Sequence, residues 1–149
     1  MKSVILSSVF AIFTAGAAVS EPLNLVCDLN VTGTRGSGSF LASPIVLLIK
    51  ESRRSAEVID GLILSVKKKA VPGKVRNTAK GLRVNWQLSD IPIRGGGNIR
   101  ISYSATLEPT TNRIIVRGRI PSAVNNINGV GKCRQLTRAE VESGNFIGR

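Results

Sequence analysis

The sequence contains no histidine in its 149 residues. This absence excludes a Ser-His-Asp triad, a Cys-His pair, a histidine general base and any zinc site built on imidazole. Acidic residues are also scarce, with nine against 21 lysines and arginines. The acids in or near predicted strands are Asp28, Asp60, Asp90 and Glu108, and each fits a turn, a strand edge or a solvent-facing position. We therefore predict a protein that is not an enzyme and that has no catalytic residues, cofactor or metal.

Aromatic residues are few, with four phenylalanines, one tryptophan and one tyrosine. Surfaces that bind nucleic acids commonly stack bases on exposed rings, so this composition argues against a nucleic-acid partner. Trp86 and Tyr103 fall on the apolar sides of their predicted strands, which favours a place in the core. If the domain instead has an open mouth, Trp86, Tyr103 and Phe40 would line a ligand pocket.

Long apolar runs are missing except at the start, where residues 4–19 follow Lys2 without a charge. This run is shorter than the roughly 20 residues that span a bilayer, and it ends in small residues, as a secretory signal peptide does. Ala18 and Ser20 place the expected cleavage between Ser20 and Glu21. We predict a signal peptide over 1–20 and a single domain over 21–149, without a transmembrane segment, in the periplasm or secreted.

The two cysteines are 106 residues apart, at Cys27 and Cys133. The alternation of residues 23–32 places Cys27 on the apolar side of a strand, and an even cysteine pair in an exported chain is typical of a disulfide. We therefore predict a bridge that ties the first strand to the last ordered segment. The pair does not form a C-x-x-C motif, which argues against a redox-active role.

Alternating or short apolar runs predict further strands at 44–49, 57–66, 82–88, 99–107 and 114–120, with Gly61 as a bulge in the run 57–66. The turn-rich segment Glu108 to Asn112 predicts a hairpin between 99–107 and 113–120, and Gly95, Gly96 and Gly97 bend the chain before it. Thr137 and Glu140 predict a capping box for a helix over 138–143 that stops at Gly144. The fold class is mainly β: a single antiparallel β-barrel or sandwich, lipocalin-like or a half-barrel, with a short C-terminal helix.

The formal net charge is +12, so the chain should be attracted to polyanions. The alternation places four arginines on the outer faces of neighbouring strands, with Ser102 and Ser104 between them: Arg83, Arg100, Arg117 and Arg119. Guanidinium groups suit phosphate and carboxylate because they donate paired hydrogen bonds in a fixed fork. A second basic cluster, in a turn-like segment with Pro72 and Gly73, comprises Lys67, Lys68, Lys69 and Lys74.

Three stretches resemble small exported proteins of Gram-negative bacteria. They are the strand with Leu25 and Cys27, the segment Gly131, Lys132 and Cys133, and the hairpin sequence YSATLEPTTNRIIVRG. The resemblance implies a compact β-domain, and it supports the predicted compartment and disulfide.

These observations predict a non-enzymatic binding module with a cationic face. Its partner would be an anionic envelope component, such as lipopolysaccharide or an acidic polysaccharide, or an acidic protein. One alternative is a lipocalin-like carrier of a small apolar ligand, in which ligand entry would quench the fluorescence of Trp86. Another is an inhibitor of a second secreted protein, with the loop from Glu108 to Asn112 inserted into its target.

Overall fold

The alternating sequence folds into a closed barrel of eight antiparallel strands, in which consecutive strands are neighbours and the last pairs with the first. The structure, a computed structural model, describes residues 21–33, 40–121 and 126–146, and the predicted signal peptide at 1–20 lies outside them. The elements are β1 (Leu23–Gly33), β2 (Ile45–Ile49), β3 (Ser55–Ile59), α1 (Gly61–Lys67), β4 (Val71–Thr78), β5 (Gly81–Pro92), β6 (Asn98–Glu108), β7 (Arg113–Arg119), β8 (Asn126–Gln135) and α2 (Arg138–Ser143). The predicted class is confirmed, and of its two forms the chain adopts the barrel.

The core fills the inside of the barrel with every second residue of the strands. In β5, for example, Leu82, Val84, Trp86 and Leu88 are buried, while Arg83 and Gln87 between them are exposed. Successive side chains of a strand point to opposite faces, so one face of each strand supplies the core and the other meets the outside. The position of a residue in the alternation therefore decides whether it can take part in binding at the surface.

The predicted disulfide is present and lies at the seam where the barrel closes. Cys27 of β1 and Cys133 of β8 are directly paired across the two strands. Both cysteines are buried. The bridge therefore joins the first strand of the barrel to the last, as the sequence predicted.

The C-terminal helix is confirmed at 138–143, including its capping box. The Thr137 hydroxyl accepts a hydrogen bond from the backbone N–H of Glu140, whose carboxylate accepts one from the backbone N–H of Thr137. A second apolar cluster, separate from the main core, is formed by Val26, Val46, Ile59 and Leu136. Val141 of the helix and Phe146 after it pack against this cluster, as does Leu48 of β2. The C-terminal segment therefore covers part of the outer face of β1–β3.

The predicted strand over 57–66 is wrong in its second half, and Gly61 is not a bulge. Strand β3 ends at Ile59, and Gly61 begins the helix α1. Asp60 caps this helix, because its Oδ1 accepts a hydrogen bond from the backbone N–H of Ile63 at 2.7 Å. Ile63 is fully buried, with Leu62 and Val66 packed beside it, which is helical spacing. A short apolar run does not distinguish a helix from a strand, and here the cap decides.

The segment predicted as a turn around Pro72 and Gly73 is in fact strand β4, so the four lysines do not form one cluster. Lys67 ends α1 and Lys74 lies on β4. Pro72 is tolerated near the strand start, where the pairing with β5 begins only at the next residue. Gly73 faces inward opposite Trp86, and a Cβ there would lie 3.0 Å from Cγ1 of Val84. The turn-like composition thus reflects close packing of the barrel wall.

Candidate anion-binding face

The four predicted arginines lie on the outside of the barrel, as expected. Arg83, Arg100, Arg117 and Arg119 are exposed, and each follows or precedes a buried neighbour in its strand. The hairpin of β6 and β7 is confirmed, and its pairing places Ser104 opposite Arg117 and Ser102 opposite Arg119. The strand register thus fixes which of these side chains can meet over β6.

Two of the four arginines line the same open groove. Arg83 and Arg117 flank β6, whose outward residues Ser104 and Thr106 form the floor between them. The groove has a volume of about 810 Å³ and is bounded at one end by the β4–β5 and β6–β7 turns. The next outward pair along these strands is Ser102 and Arg119. We refer to the groove together with this pair as the β6 groove. Its floor carries hydroxyl groups and its walls carry guanidinium groups.

Arg100 lies apart from the β6 groove. It lines a separate depression with Ser89, Asp90 and Asn98, at the opposite end of β6. The carboxylate of Asp90 is near enough for Arg100 to contribute to lowering its pKa. The prediction grouped Arg100 with the other three, but the structure gives it an acidic neighbour of its own.

Further cations at the β6 groove were missed by the sequence analysis. Lys80 and Arg113 line it, and Lys74, predicted in the second basic cluster, lines the adjoining groove with Asn85 and Ser102. Arg76 of β4 lies directly opposite Arg83 of β5. An alternating pattern in 71–78 was the available signal, but the proline and glycine of that segment favoured a turn.

Among the described side chains, no ion pair joins a lysine or arginine of the β6 groove to an acid. Four ion pairs join described side chains, and they are Lys50–Glu57, Lys67–Asp90, Arg134–Glu140 and Arg138–Glu142. The one acid that lines the groove, Glu108, lies at its end opposite Arg113. Like charges directly opposite each other on neighbouring strands repel, as Arg76 and Arg83 do. An anion bound between these side chains would relieve the repulsion.

The three lysines of the second predicted cluster do not join this groove. Lys67 lies in the last turn of α1, and its Nζ is 2.6 Å from a carboxylate oxygen of Asp90. Hydrogen bonds from Lys67 and Ser89 hold the pKa of Asp90 below its ordinary value. Lys68 is the left-handed C-cap of the helix, and Lys69 follows it. These lysines therefore form a separate basic site, in which Lys67 already has an acidic partner.

Of the residues of the predicted ligand pocket, Trp86 and Tyr103 are buried in the barrel core, and Phe40 is half-buried and packs against it. The rings of Trp86 and Tyr103 stack with centroids 5.1 Å apart, and each residue is 4% exposed. Gly118 is opposite Tyr103, where a Cβ would lie 3.0 Å from the ring. The Tyr103 hydroxyl donates a hydrogen bond to the carbonyl of Phe40. The two rings thus fill this level of the interior, and the apolar-ligand pocket stays a prediction.

Asp60, predicted at a turn, edge or solvent-facing position, is instead the one buried charged or polar residue in the described part of the chain. Its burial raises the pKa of the carboxyl, while hydrogen bonds from the backbone of Ile63 and Leu62 act in the opposite direction. The carboxylate also contributes to raising the pKa of Tyr103, although burial of the phenol is the larger cause. The role that the geometry gives to Asp60 is that of a helix cap.

We expect Asp60→Asn to be at least as stable as the wild type at neutral pH. An acid whose pKa is raised by folding stabilises the fold below its unfolded pKa, and this contribution is lost as the pH rises through the folded pKa. Asparagine keeps the capping oxygen but does not ionise. The stability gained by the variant should therefore increase from about pH 4 upward and then level off.

Urea unfolding at a series of pH values measures this difference. Asp60→Ala is the control, since it loses the cap and should be about 1 kcal/mol less stable. An Asn variant as unstable as the Ala variant at neutral pH would contradict the burial argument.

Among the residues that the structure describes, no group of three His, Cys, Asp or Glu side chains is placed to hold a metal ion. The described helices are all too short or too polar to cross a membrane. Comparison of the chain with protein-family models, with curated proteins and with solved structures finds no match.

Proposed function

We propose that the protein is a non-enzymatic binding module that recognises an anionic partner through the β6 groove. The observation that carries the proposal is the shared groove of Arg83 and Arg117, with hydroxyl groups between them and no ion pair to either arginine among the described side chains. Fixed guanidinium forks beside hydroxyl groups are suited to phosphate, sulfate and carboxylate. The net charge of +12 would add long-range attraction.

The partner fits an anionic component of a cell envelope or an acidic protein. A disulfide at the seam is typical of proteins that fold in an oxidising compartment. This supports a place in the periplasm or outside the cell, where lipopolysaccharide phosphates and acidic polysaccharides are the abundant polyanions.

We expect the affinity for heparin and for lipopolysaccharide to fall steeply with salt and to drop at least about tenfold in the variant Arg83→Ser/Arg117→Ser/Arg119→Ser. Each guanidinium that neutralises an anionic group releases a counterion, so its removal weakens binding and flattens the salt dependence. Fluorescence anisotropy of a labelled polyanion at several salt concentrations measures both effects.

A charge-matched control distinguishes the contribution of the β6 groove to the affinity from that of the net charge. The variant Arg54→Ser/Lys69→Ser/Arg94→Ser also removes three cations, and these are exposed residues outside the groove. It should keep most of the affinity. Equal losses in the two variants would show that charge alone attracts the ligand, and binding that does not change with salt would contradict the proposal.

A further inference from the structure

We infer that the occupant of the β6 groove is a single linear acidic polysaccharide, lying parallel to β6 with its sugar hydroxyls on the floor and its anionic groups on the walls. This inference rests on the proposed function, and it adds the class of ligand and the direction in which the ligand lies. Three features of the groove support it: its width, the chemistry of its floor and the side chains that are missing from it.

The width suits one extended chain. The walls are the outer faces of β5 and β7, which are two strand spacings or about 10 Å apart. Arg83 stands on one wall, and Arg113, Arg117 and Arg119 stand along the other. From the pair Ser102–Arg119 to the pair Glu108–Arg113 the groove runs six residues, or about 20 Å. Cations therefore line the β7 wall over several sugar lengths, and Arg83 faces them from the β5 wall.

From Ser102 to Thr106 the floor offers hydrogen bonds without charge, and the acidic Glu108 lies at the end of the groove. No hydrogen bond to another described group uses the hydroxyls of Ser104 or Thr106, so both are open to a ligand. The Nε2 of Gln87 donates to the Ser102 hydroxyl at 3.2 Å, and Asn85 lies beside Ser104 across the strands. Hydroxyl and amide groups can both donate and accept, as sugar hydroxyls do. A polyanion without hydroxyl groups, such as polyphosphate, could accept hydrogen bonds from this floor but could donate none to its oxygens.

Other linear polyanions find fewer partners here. Single-stranded nucleic acids stack their bases on exposed aromatic rings, and the described lining offers none, since Trp86 and Tyr103 beside Ser102 are each 4% exposed. Protein interfaces depend on a few large apolar or aromatic anchors in buried pockets. The only large apolar side chain in the lining is that of Ile115, which is half-buried. A chain of sugar hydroxyls and acidic groups matches the lining more completely than a base or a peptide does.

The test compares polyanions of similar length and charge on the full barrel. Isothermal titration with alginate and heparin would be set against polyphosphate and poly-aspartate, for the wild type and for the floor variant Ser104→Ala/Thr106→Val. We expect the polysaccharides to bind about tenfold more tightly than the other two. The floor variant should lose about tenfold for the polysaccharides and clearly less for polyphosphate, because sugar hydroxyls both donate to and accept from the floor whereas phosphate only accepts.

Thr32→Val is the control for loss of an exposed hydroxyl, since Thr32 lies on β1, away from the groove. Equal affinity for all four polyanions, with no effect of the floor variant, would overturn the inference and leave the proposed function standing. Tighter binding of poly-aspartate would replace the polysaccharide by an acidic peptide. If none of the four binds at low salt, the proposed function fails as well.

Discussion

Replacing Cys27 and Cys133 by alanine should lower the free energy of unfolding by about 4 to 5 kcal/mol, because the bridge closes a loop across a sequence separation of 106. Without it, the unfolded chain regains the freedom of that whole loop. The folded state keeps the pairing of β1 with β8, so the main effect is on the unfolded ensemble. Chemical unfolding of the oxidised wild type and of the variant measures the difference.

Reduction of the wild-type protein provides the control. The reduced protein should unfold near the midpoint of the double-alanine variant, and the reductant should not affect the variant itself. Total stability of small domains is about 5 to 15 kcal/mol, so a loss of this size leaves little margin. A loss below about 1 kcal/mol would contradict the argument, since it would mean that the unfolded chain is constrained by something other than the bridge.

Gly131→Ala should be the most damaging single substitution that we predict, with a loss of about 3 kcal/mol or more. A Cβ at Gly131 would lie 1.8 Å from the backbone oxygen of Asp28 on the paired strand β1. Backbone cannot rotate away as a side chain can, so the two strands would have to separate at the seam. Differential scanning calorimetry of the oxidised protein would show a lower Tm.

Gly129→Ala, two residues earlier on β8, is the matched control. A Cβ there would first meet Cδ2 of Leu41 at 2.8 Å, which is the far end of a side chain and can move. We expect a loss of about 1 kcal/mol, by the ordinary cost of tight packing. If the two variants proved equally stable, the close approach of β1 and β8 at Gly131 would be wrong.

The sequence predicts most of the barrel wherever side-chain alternation is undisturbed. Strands β5, β6 and β7 show a clear two-residue period, and their extents agree with the prediction to within a few residues. The capping box of α2 is a local signal and was found exactly where Thr137 and Glu140 placed it. Such features depend on neighbours in sequence, so no knowledge of the tertiary structure is needed to find them.

The misplaced elements are those in which a tertiary contact overrides local composition. Helix α1 is fixed by the hydrogen bond of Asp60 and by the burial of Ile63 under the barrel. Strand β4 contains Pro72 and Gly73, residues typical of turns, but Gly73 makes room for the inward side chains of Val58 and Val84. In both places the sequence gives the right residues, and the packing of the whole barrel decides what they form.

The candidate site could be predicted in part. Alternation fixed the outward direction of Arg83, Arg117 and Arg119, but it did not specify which strands lie next to each other or in which register. The sequence did not place Arg76 opposite Arg83 or Lys80 at the β6 groove, because the segment around Pro72 and Gly73 was predicted as a turn and not as strand β4. Arg100 lines a different depression with Asp90, at the place where a register shift between Leu88 and Ile91 interrupts the pairing of β5 with β6.

Closure of the barrel also limits how a partner can be held. Each of the eight strands is hydrogen-bonded to a neighbour on both sides, including β1 and β8. Along the β6 groove, residues 102–107 are paired with β5 on one side and with β7 on the other, so their main-chain donors and acceptors offer no edge to an extended peptide. Recognition on the wall has to depend on side chains. A few substitutions on one outer face could then change the ligand while the inner face, and with it the fold, stays the same.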